Sequence, residues 1–164
     1  MTNLKDYAKS IVYGGLDGII TTFALVAGAV GGKLGTMTII ILGFSNLLAD
    51  GFSMAIGDYL SSTTEKHTDN KQAVKNALAT FLAFNGFGLL PLLSYLLINQ
   101  VELFRNYTFL IACFLVALAL VLLGIVKAAI THQSKRKEVI RTVAVGLIAS
   151  FVAYYVGYLL GLLV

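Results

Sequence analysis

Five apolar segments account for most of this 164-residue chain, and each is about as long as the roughly 20 residues that cross a bilayer as a helix. Only 12% of the residues are charged, against about 25% in a typical soluble domain, which leaves too little polar surface for a soluble fold. We therefore predict an all-α integral membrane protein with one transmembrane domain over residues 1–164 and five transmembrane helices. The predicted spans are residues 11–32, 36–60, 77–98, 107–130 and 139–164.

Three local features bear on this architecture. Pro91, the only proline, predicts a kink in the third span. Cys113, the only cysteine, has no partner for a disulfide within the chain and is interpreted as a packing residue. The polar N-terminus leads into a segment that contains Asp17 and several glycines, which is a poor secretory signal, so we expect no cleaved signal peptide.

The basic residues predict how the chain is oriented in the membrane. Five spans place the termini on opposite sides, and basic residues favour the cytoplasmic side. Of the 12 basic residues, only Lys33 and Arg105 fall on one side of the membrane, and the other ten share the side of the N-terminus. We therefore predict that the N-terminus is cytoplasmic and the C-terminus luminal or extracellular. This bias accounts for the net charge of +4, and no nucleic-acid partner is expected. The residues on the cytoplasmic side are Lys5, Lys9, Lys66, Lys71, Lys75, Lys127, Lys135, Arg136, Lys137 and Arg141.

Acidic residues inside the predicted spans are the strongest functional signal. Asp17, Asp50 and Asp58 lie there, and a carboxylate costs roughly 2.5–3.5 kcal/mol at the centre of a membrane helix, so a functional role is the default interpretation. Asn46, Asp50, Met54 and Asp58 recur every fourth residue and fall within an arc of roughly 120° on a helix. Such a stripe is expected to face the interior of a helix bundle or a hydrated path.

The chemistry of these side chains favours a transported metal ion. Carboxylate and amide oxygens suit hard or borderline divalent cations, and a thioether adds preference for softer ions, so Fe²⁺ or Mn²⁺ satisfies both. Taken alone, Met54 is more often a residue that fills a gap in packing. Taken together, the pattern predicts a cation transporter with no resident cofactor. The predicted metal ligands are Asp17, Asn46, Asp50, Met54 and Asp58.

Small residues in the first span predict close helix packing. They recur at alternating spacings of four and three residues, a register that lets two helix backbones approach. We interpret this seam as the symmetric crossing of two first helices in a homodimer, which would present Asp17 twice. Gly157 and Gly161 in the last span are interpreted as packing residues. The seam consists of Gly14, Gly18, Thr21, Leu25, Gly28 and Gly32.

Three blocks of the sequence carry a resemblance to a known family: "YGGLDGIITTFALVAGAVGG", "LGFSNLLADGFSMAIGDYLSS" and "ALATFLAFNGFGLLPLLSYLL". Together they resemble the vacuolar iron transporter family, which includes nodulin-like relatives. The resemblance implies a five-helix homodimer that exports Fe²⁺, and often Mn²⁺, from the cytosol in exchange for protons, along a path between the first helices. Asp17 and Met54 match residues of that path. It also implies a vacuolar or other endomembrane location in a eukaryote and the cell membrane in a prokaryote.

The chain departs from the family pattern in three places. Asn46 stands where plant and fungal members commonly have a glutamate, and Asp58 in "GDYLS" replaces the glutamate of "GEYLS". The connector between the second and third spans is short, whereas full-length relatives carry a glutamate-rich cytosolic metal-binding domain there. The sequence therefore resembles a short member of the family that lacks this domain.

The short connector itself carries Glu65, His67 and Asp69. We interpret it as a solvated linker, because Lys66 and Lys71 on either side repel a divalent cation. The alternative is a vestigial site for metal capture.

Two other functions fit parts of the sequence. A membrane scaffold or metal sensor that does not transport is compatible with the missing cytosolic domain. An intramembrane aspartyl enzyme would use Asp17 and Asp58 as an acid–base pair. Its Gly-x-Gly-Asp motif has alanine at the first glycine here, at Ala55, and Asp17 follows leucine where that class has tyrosine, so we predict that the protein is not an enzyme.

Overall fold

The computed structural model describes residues 4–64, 69–97 and 102–163, and no strand occurs among them. The predicted all-α fold is therefore confirmed. Glu65 and His67 of the connector lie outside the described residues. The helices in chain order are α1 (Leu4–Gly31), α2 (Thr36–Thr64), α3 (Asn70–Gly88), α4 (Leu90–Leu96), α5 (Glu102–Thr131) and α6 (Lys135–Gly161).

The predicted number of spans is confirmed in part. Within the described residues, α1, α2, α5 and α6 are each long and apolar enough to cross a membrane. The helices α3 and α4 pass the same test only as a pair, bent by 44°. The total is therefore four spans, or the predicted five if the bent pair crosses as one.

The break between α3 and α4 has its origin in Pro91, as predicted. Proline has no backbone N–H, so Pro91 leaves the carbonyl of Phe87 without the partner that a continuous helix would supply. The N–H groups of Leu92 and Leu93 both donate to the carbonyl of Leu89, at 3.0 and 3.1 Å. These bonds start α4 afresh, with Pro91 in its first turn, where the missing donor costs little.

The helix α1 is the centre of the bundle, and it packs against α3 along its first half and α6 along its second. Gly14 and Gly18 lie directly on the backbone of α3. A Cβ added to Gly14 would lie 2.8 Å from the carbonyl oxygen of Thr80, and one added to Gly18 would collide with the carbonyl of Phe84. These glycines are required because the two backbones approach more closely than a side chain allows.

The second half of the seam packs in the same way against α6. A Cβ added to Gly28 would lie 3.1 Å from the carbonyl oxygen of Ala153, and Gly157 and Gly161 of α6 lie on Gly28 and Gly32. Packing roles for Gly157 and Gly161 are thus confirmed. We interpreted the seam as a crossing between two copies of α1. That interpretation is wrong for its glycines, because they pack against α3 and α6 of the same chain.

Large apolar side chains cover the outer surface of α5 and α6. Phe114, Leu118, Leu147 and Phe151 each expose half or more of their area. In water so much contiguous apolar surface would favour aggregation. The hydrocarbon interior of a bilayer is the solvent that such a surface requires, as expected for an integral membrane protein.

Candidate metal pathway

The polar stripe of α2 lies beside a buried face of the same helix. Gly43, Leu47, Gly51 and Ala55 are buried against the rest of the bundle. Each of the four predicted ligands of α2 lies one position before or three positions after one of these buried residues, and all four are half-buried. Since residues four apart are neighbours on a helix surface, the stripe forms a continuous polar edge along α2. Its members are Asn46, Asp50, Met54 and Asp58.

Asn46 and Asp50 form a hydrogen-bonded pair one turn apart. The side-chain amide of Asn46 donates to Oδ2 of Asp50 at 2.9 Å. Asp17 of α1 is half-buried and lies close enough to Asp50 for their negative charges to interact. The structure therefore places Asp17 of α1 within electrostatic range of the Asn46–Asp50 pair of α2. Two carboxylates and an amide oxygen form a donor set that suits a divalent cation.

Asp58 has a different environment. Its Oδ2 accepts a hydrogen bond from the hydroxyl of Ser10 on α1 at 3.0 Å and another from the hydroxyl of Thr80 on α3. Ser10 and Thr80 are both buried. One carboxylate oxygen thus joins α2 to both neighbouring helices, so Asp58 holds the bundle together at this level as well as adding charge to the stripe.

Met54 and Asp58 line one groove of about 500 Å³, which we call the α2 groove. Met54 also packs against the edge of the hydrophobic core. The thioether is therefore placed where it can meet an ion in the groove and also fill space in the core. The other lining residues are Lys9, Ser10, Tyr13, Gly57, Ser61 and Thr80.

The five predicted ligands divide into two groups in one chain. Asp17, Asn46 and Asp50 form the first group, and Met54 and Asp58 line the α2 groove. Among the described residues, no three acidic, histidine or cysteine side chains lie together as a cluster able to hold a metal ion. One chain therefore supplies fewer anionic ligands at any one point than the full predicted set.

Sequence reasoning missed the partners of these acids. Ser10 and Thr80 are ordinary polar residues in a sequence, and only the packing of α1 and α3 onto α2 shows that they bind Asp58. Lys127 was counted only among the cytoplasmic basic residues, although it falls inside the fourth predicted span. It pairs with Glu138 at 2.9 Å and lines a groove that contains Asp17. A lysine within an apolar run was the signal that could have identified it.

Comparison with known proteins identifies the family of this chain. A family model described as the VIT family matches residues 8–73 and 63–158. The chain belongs to the VIT family. This family consists of transporters and not of enzymes, so the predicted absence of enzymatic activity is confirmed and the intramembrane aspartyl enzyme is set aside. The protein is accordingly an integral membrane protein with no resident cofactor known in its family.

Several relatives align over nearly the whole chain. A protein of Toxoplasma gondii named vacuolar iron transporter is 29% identical over 98% of this chain and 76% of the relative. One of the same name from Plasmodium berghei is 27% identical over 95% of this chain and 83% of the relative. An Arabidopsis thaliana protein named vacuolar iron transporter homolog 2 is 25% identical over 96% of this chain and 86% of the relative.

The lengths of these alignments bear on the short connector. The alignment with the Toxoplasma protein runs over 232 positions, 68 more than the 164 residues of this chain. That relative therefore contains residues with no counterpart here. The two stretches matched by the family model overlap at residues 63–73, which places their junction at the α2–α3 connector. The alignment with the Arabidopsis protein needs only 173 positions, so few inserted residues separate the two chains within the aligned part.

Proposed function

We propose that this protein transports divalent metal ions, with Fe²⁺ as the main cargo and Mn²⁺ as a second. The observation that carries the proposal is the half-buried Asn46–Asp50 pair on a membrane-spanning helix, with the carboxylate of Asp17 on the neighbouring helix within electrostatic range. Placing a carboxylate in a membrane-spanning helix costs free energy, and such residues typically mark ion paths. Relatives named vacuolar iron transporters supply the identity of the metal.

Met54 supports a borderline metal over Mg²⁺ or Ca²⁺. Those hard cations prefer ligand sets made of oxygen alone. A thioether in the α2 groove, beside the carboxylate of Asp58, adds a softer donor that Fe²⁺ accepts. We infer that Met54 contributes selectivity and that the oxygen ligands contribute most of the affinity.

We further propose that the transporter is a homodimer whose ion path runs between the two copies. Among the described residues, one chain brings no three acidic, histidine or cysteine side chains together, whereas a two-fold pair would present every ligand twice. The stripe on α2 and Asp17 on α1 are only half-buried in one chain, so they remain accessible to a second copy. The dimer would then use this polar edge, and not the glycines of α1.

Transport is proposed to run from the cytosol, the side on which the N-terminus is also proposed to lie, in exchange for protons. A carboxylate must lose its proton to hold a metal ion, so Asp17 or Asp50 can take up a proton when the ion leaves. An acidic compartment on the far side would supply that proton and drive export. This cycle needs no group beyond the side chains already described.

Metal flux tests the proposal directly. The purified full-length chain, reconstituted into proteoliposomes, should move Fe²⁺ and Mn²⁺ and discriminate against Mg²⁺. Protein-free liposomes and a reconstituted Asp17→Asn, Asp50→Asn double variant are the controls. A folded protein that binds Fe²⁺ without moving it would identify a metal sensor, and one that does neither would identify a scaffold.

A further inference from the structure

A second groove flanks α1 on its other side, between α1, α5 and α6, and we call it the lateral groove. Its volume is about 520 Å³, and Lys9 and Tyr13 form the ridge that separates it from the α2 groove. The lateral groove differs from its neighbour in composition, because apolar side chains make up most of its wall and its one carboxylate, that of Asp17, lies away from Lys9. The apolar residues are Ala8, Val12, Leu16, Ile20, Ile130 and Val145, and Tyr13, Asp17 and Thr131 add polar atoms.

Positive charge is concentrated at one end of the lateral groove. Lys9, near the start of α1, and Lys127, near the end of α5, both line it. Lys127 shares the carboxylate of Glu138 with Arg141, each at 2.9 Å. The three cations against one carboxylate leave two net positive charges at this end. Asp17, eight residues beyond Lys9, lies about 12 Å further along α1 and does not cancel them locally.

The charged end of the lateral groove does not suit a metal ion. Lys9 and Lys127 together repel a divalent cation there, whereas the α2 groove has Lys9 alone, beside the carboxylate of Asp58 and the thioether of Met54. A free anion would be attracted by the lysines but would gain nothing from the apolar side chains of Val12, Leu16 and Val145 that line the rest of the groove. The lateral groove therefore matches a ligand that is anionic at one end and hydrocarbon over the rest of its length.

We propose that the lateral groove binds an anionic phospholipid. Its headgroup phosphate lies between Lys9 and Lys127, and one acyl chain lies along Val12, Leu16 and Val145. Basic pockets between membrane helices are a known way of recognising acidic lipid headgroups, and the surrounding leaflet supplies the ligand at high concentration. In the proposed orientation, the lysine end of the groove lies in the cytoplasmic leaflet. The charge and the shape of the groove do not depend on that orientation.

Lipid binding to the purified full chain in a neutral detergent tests this proposal without any measurement of transport. Native mass spectrometry would compare phosphatidylglycerol with phosphatidylcholine of identical acyl chains. The proposal predicts tighter binding of phosphatidylglycerol. Lys9→Gln should weaken that binding about fivefold and leave phosphatidylcholine unchanged. Lys71→Gln, an exposed lysine at the start of α3, should change neither. Equal binding of the two lipids, or equal effects of the two variants, would overturn the proposal.

The apolar part of the site needs its own variant. Val145 is 55% exposed and lines the lateral groove, so Val145→Trp should fold and block the acyl chain. Val152→Trp, at a similarly exposed position of α6 outside the groove, is the matched control. Glycerophosphoglycerol, the headgroup without chains, should not compete. Competition as strong as that of the whole lipid would instead identify a site for a free anion. A change in oligomeric state with Val145→Trp and no loss of lipid would identify the groove as an interface with a second copy.

Discussion

Oδ2 of Asp58 on α2 accepts a hydrogen bond from the hydroxyl of Ser10 on α1 at 3.0 Å, and the buried Thr80 of α3 donates to the same oxygen. This carboxylate therefore has a structural role that is separable from any contact with metal. Asp58→Ala leaves two buried hydroxyl groups without an acceptor and should lower the free energy of unfolding by about 1–3 kcal/mol. Asp58→Asn retains a carbonyl oxygen as acceptor and should cost less.

Thermal unfolding of the purified variants measures this difference, with Asp69→Ala at an exposed position before α3 as the control. If Asp58→Ala unfolds at the temperature of the unmodified protein, the bonds from Ser10 and Thr80 contribute nothing to stability.

Replacing the sulfur of Met54 separates its packing role from its proposed role as a ligand. Met54→Leu retains volume and apolarity and should cost less than about 1.5 kcal/mol of stability. Fe²⁺ flux should nevertheless fall about tenfold, which corresponds to about 1.4 kcal/mol of lost interaction with the ion. Normal Fe²⁺ flux in proteoliposomes would show that Met54 is only a packing residue.

The glycines of α1 give a prediction that reverses the one made from sequence. Because Gly18 lies against the backbone of Phe84 in the same chain, Gly18→Ala should destabilise each monomer by about 1–3 kcal/mol. Gly86→Ala, on α3 with nothing within 4 Å of the added Cβ, is the matched control. Unfolding and crosslinked-dimer yield should be measured together. Loss of the dimer with unchanged monomer stability would restore the seam as an interface between copies.

The sequence was sufficient for features set by one segment at a time. Long apolar runs predicted the helices, and Pro91 predicted the break between α3 and α4, because both depend on local backbone chemistry. Features that depend on which helices pack together could not be predicted from the sequence. A glycine seam indicates close packing but does not name the neighbour, so Gly18 was assigned to a second copy instead of to α3. For the same reason the bond from Thr80 to Asp58 was not foreseen.

Proton coupling can be tested by changing the pH gradient alone. With the membrane potential clamped, an acidic far side should accelerate Fe²⁺ export, because protons arriving at Asp17 or Asp50 displace the metal there. The measurement is Fe²⁺ flux into proteoliposomes with and without the gradient, together with the pH change inside them. Flux that is unaltered when the gradient is collapsed would indicate a uniporter.

The most direct test of the whole account is Fe²⁺ flux through Asp17→Asn in proteoliposomes, compared with Asp69→Asn in the same lipids. Asp17→Asn preserves the size of the side chain but removes the negative charge that interacts with Asp50. An ion path past Asp17 predicts a folded protein with Fe²⁺ flux reduced by about tenfold or more, equivalent to at least about 1.4 kcal/mol. Asp69→Asn should transport normally. Undiminished Fe²⁺ flux through Asp17→Asn would contradict an ion path past Asp17, and with it the proposed role of Asp17 in metal transport.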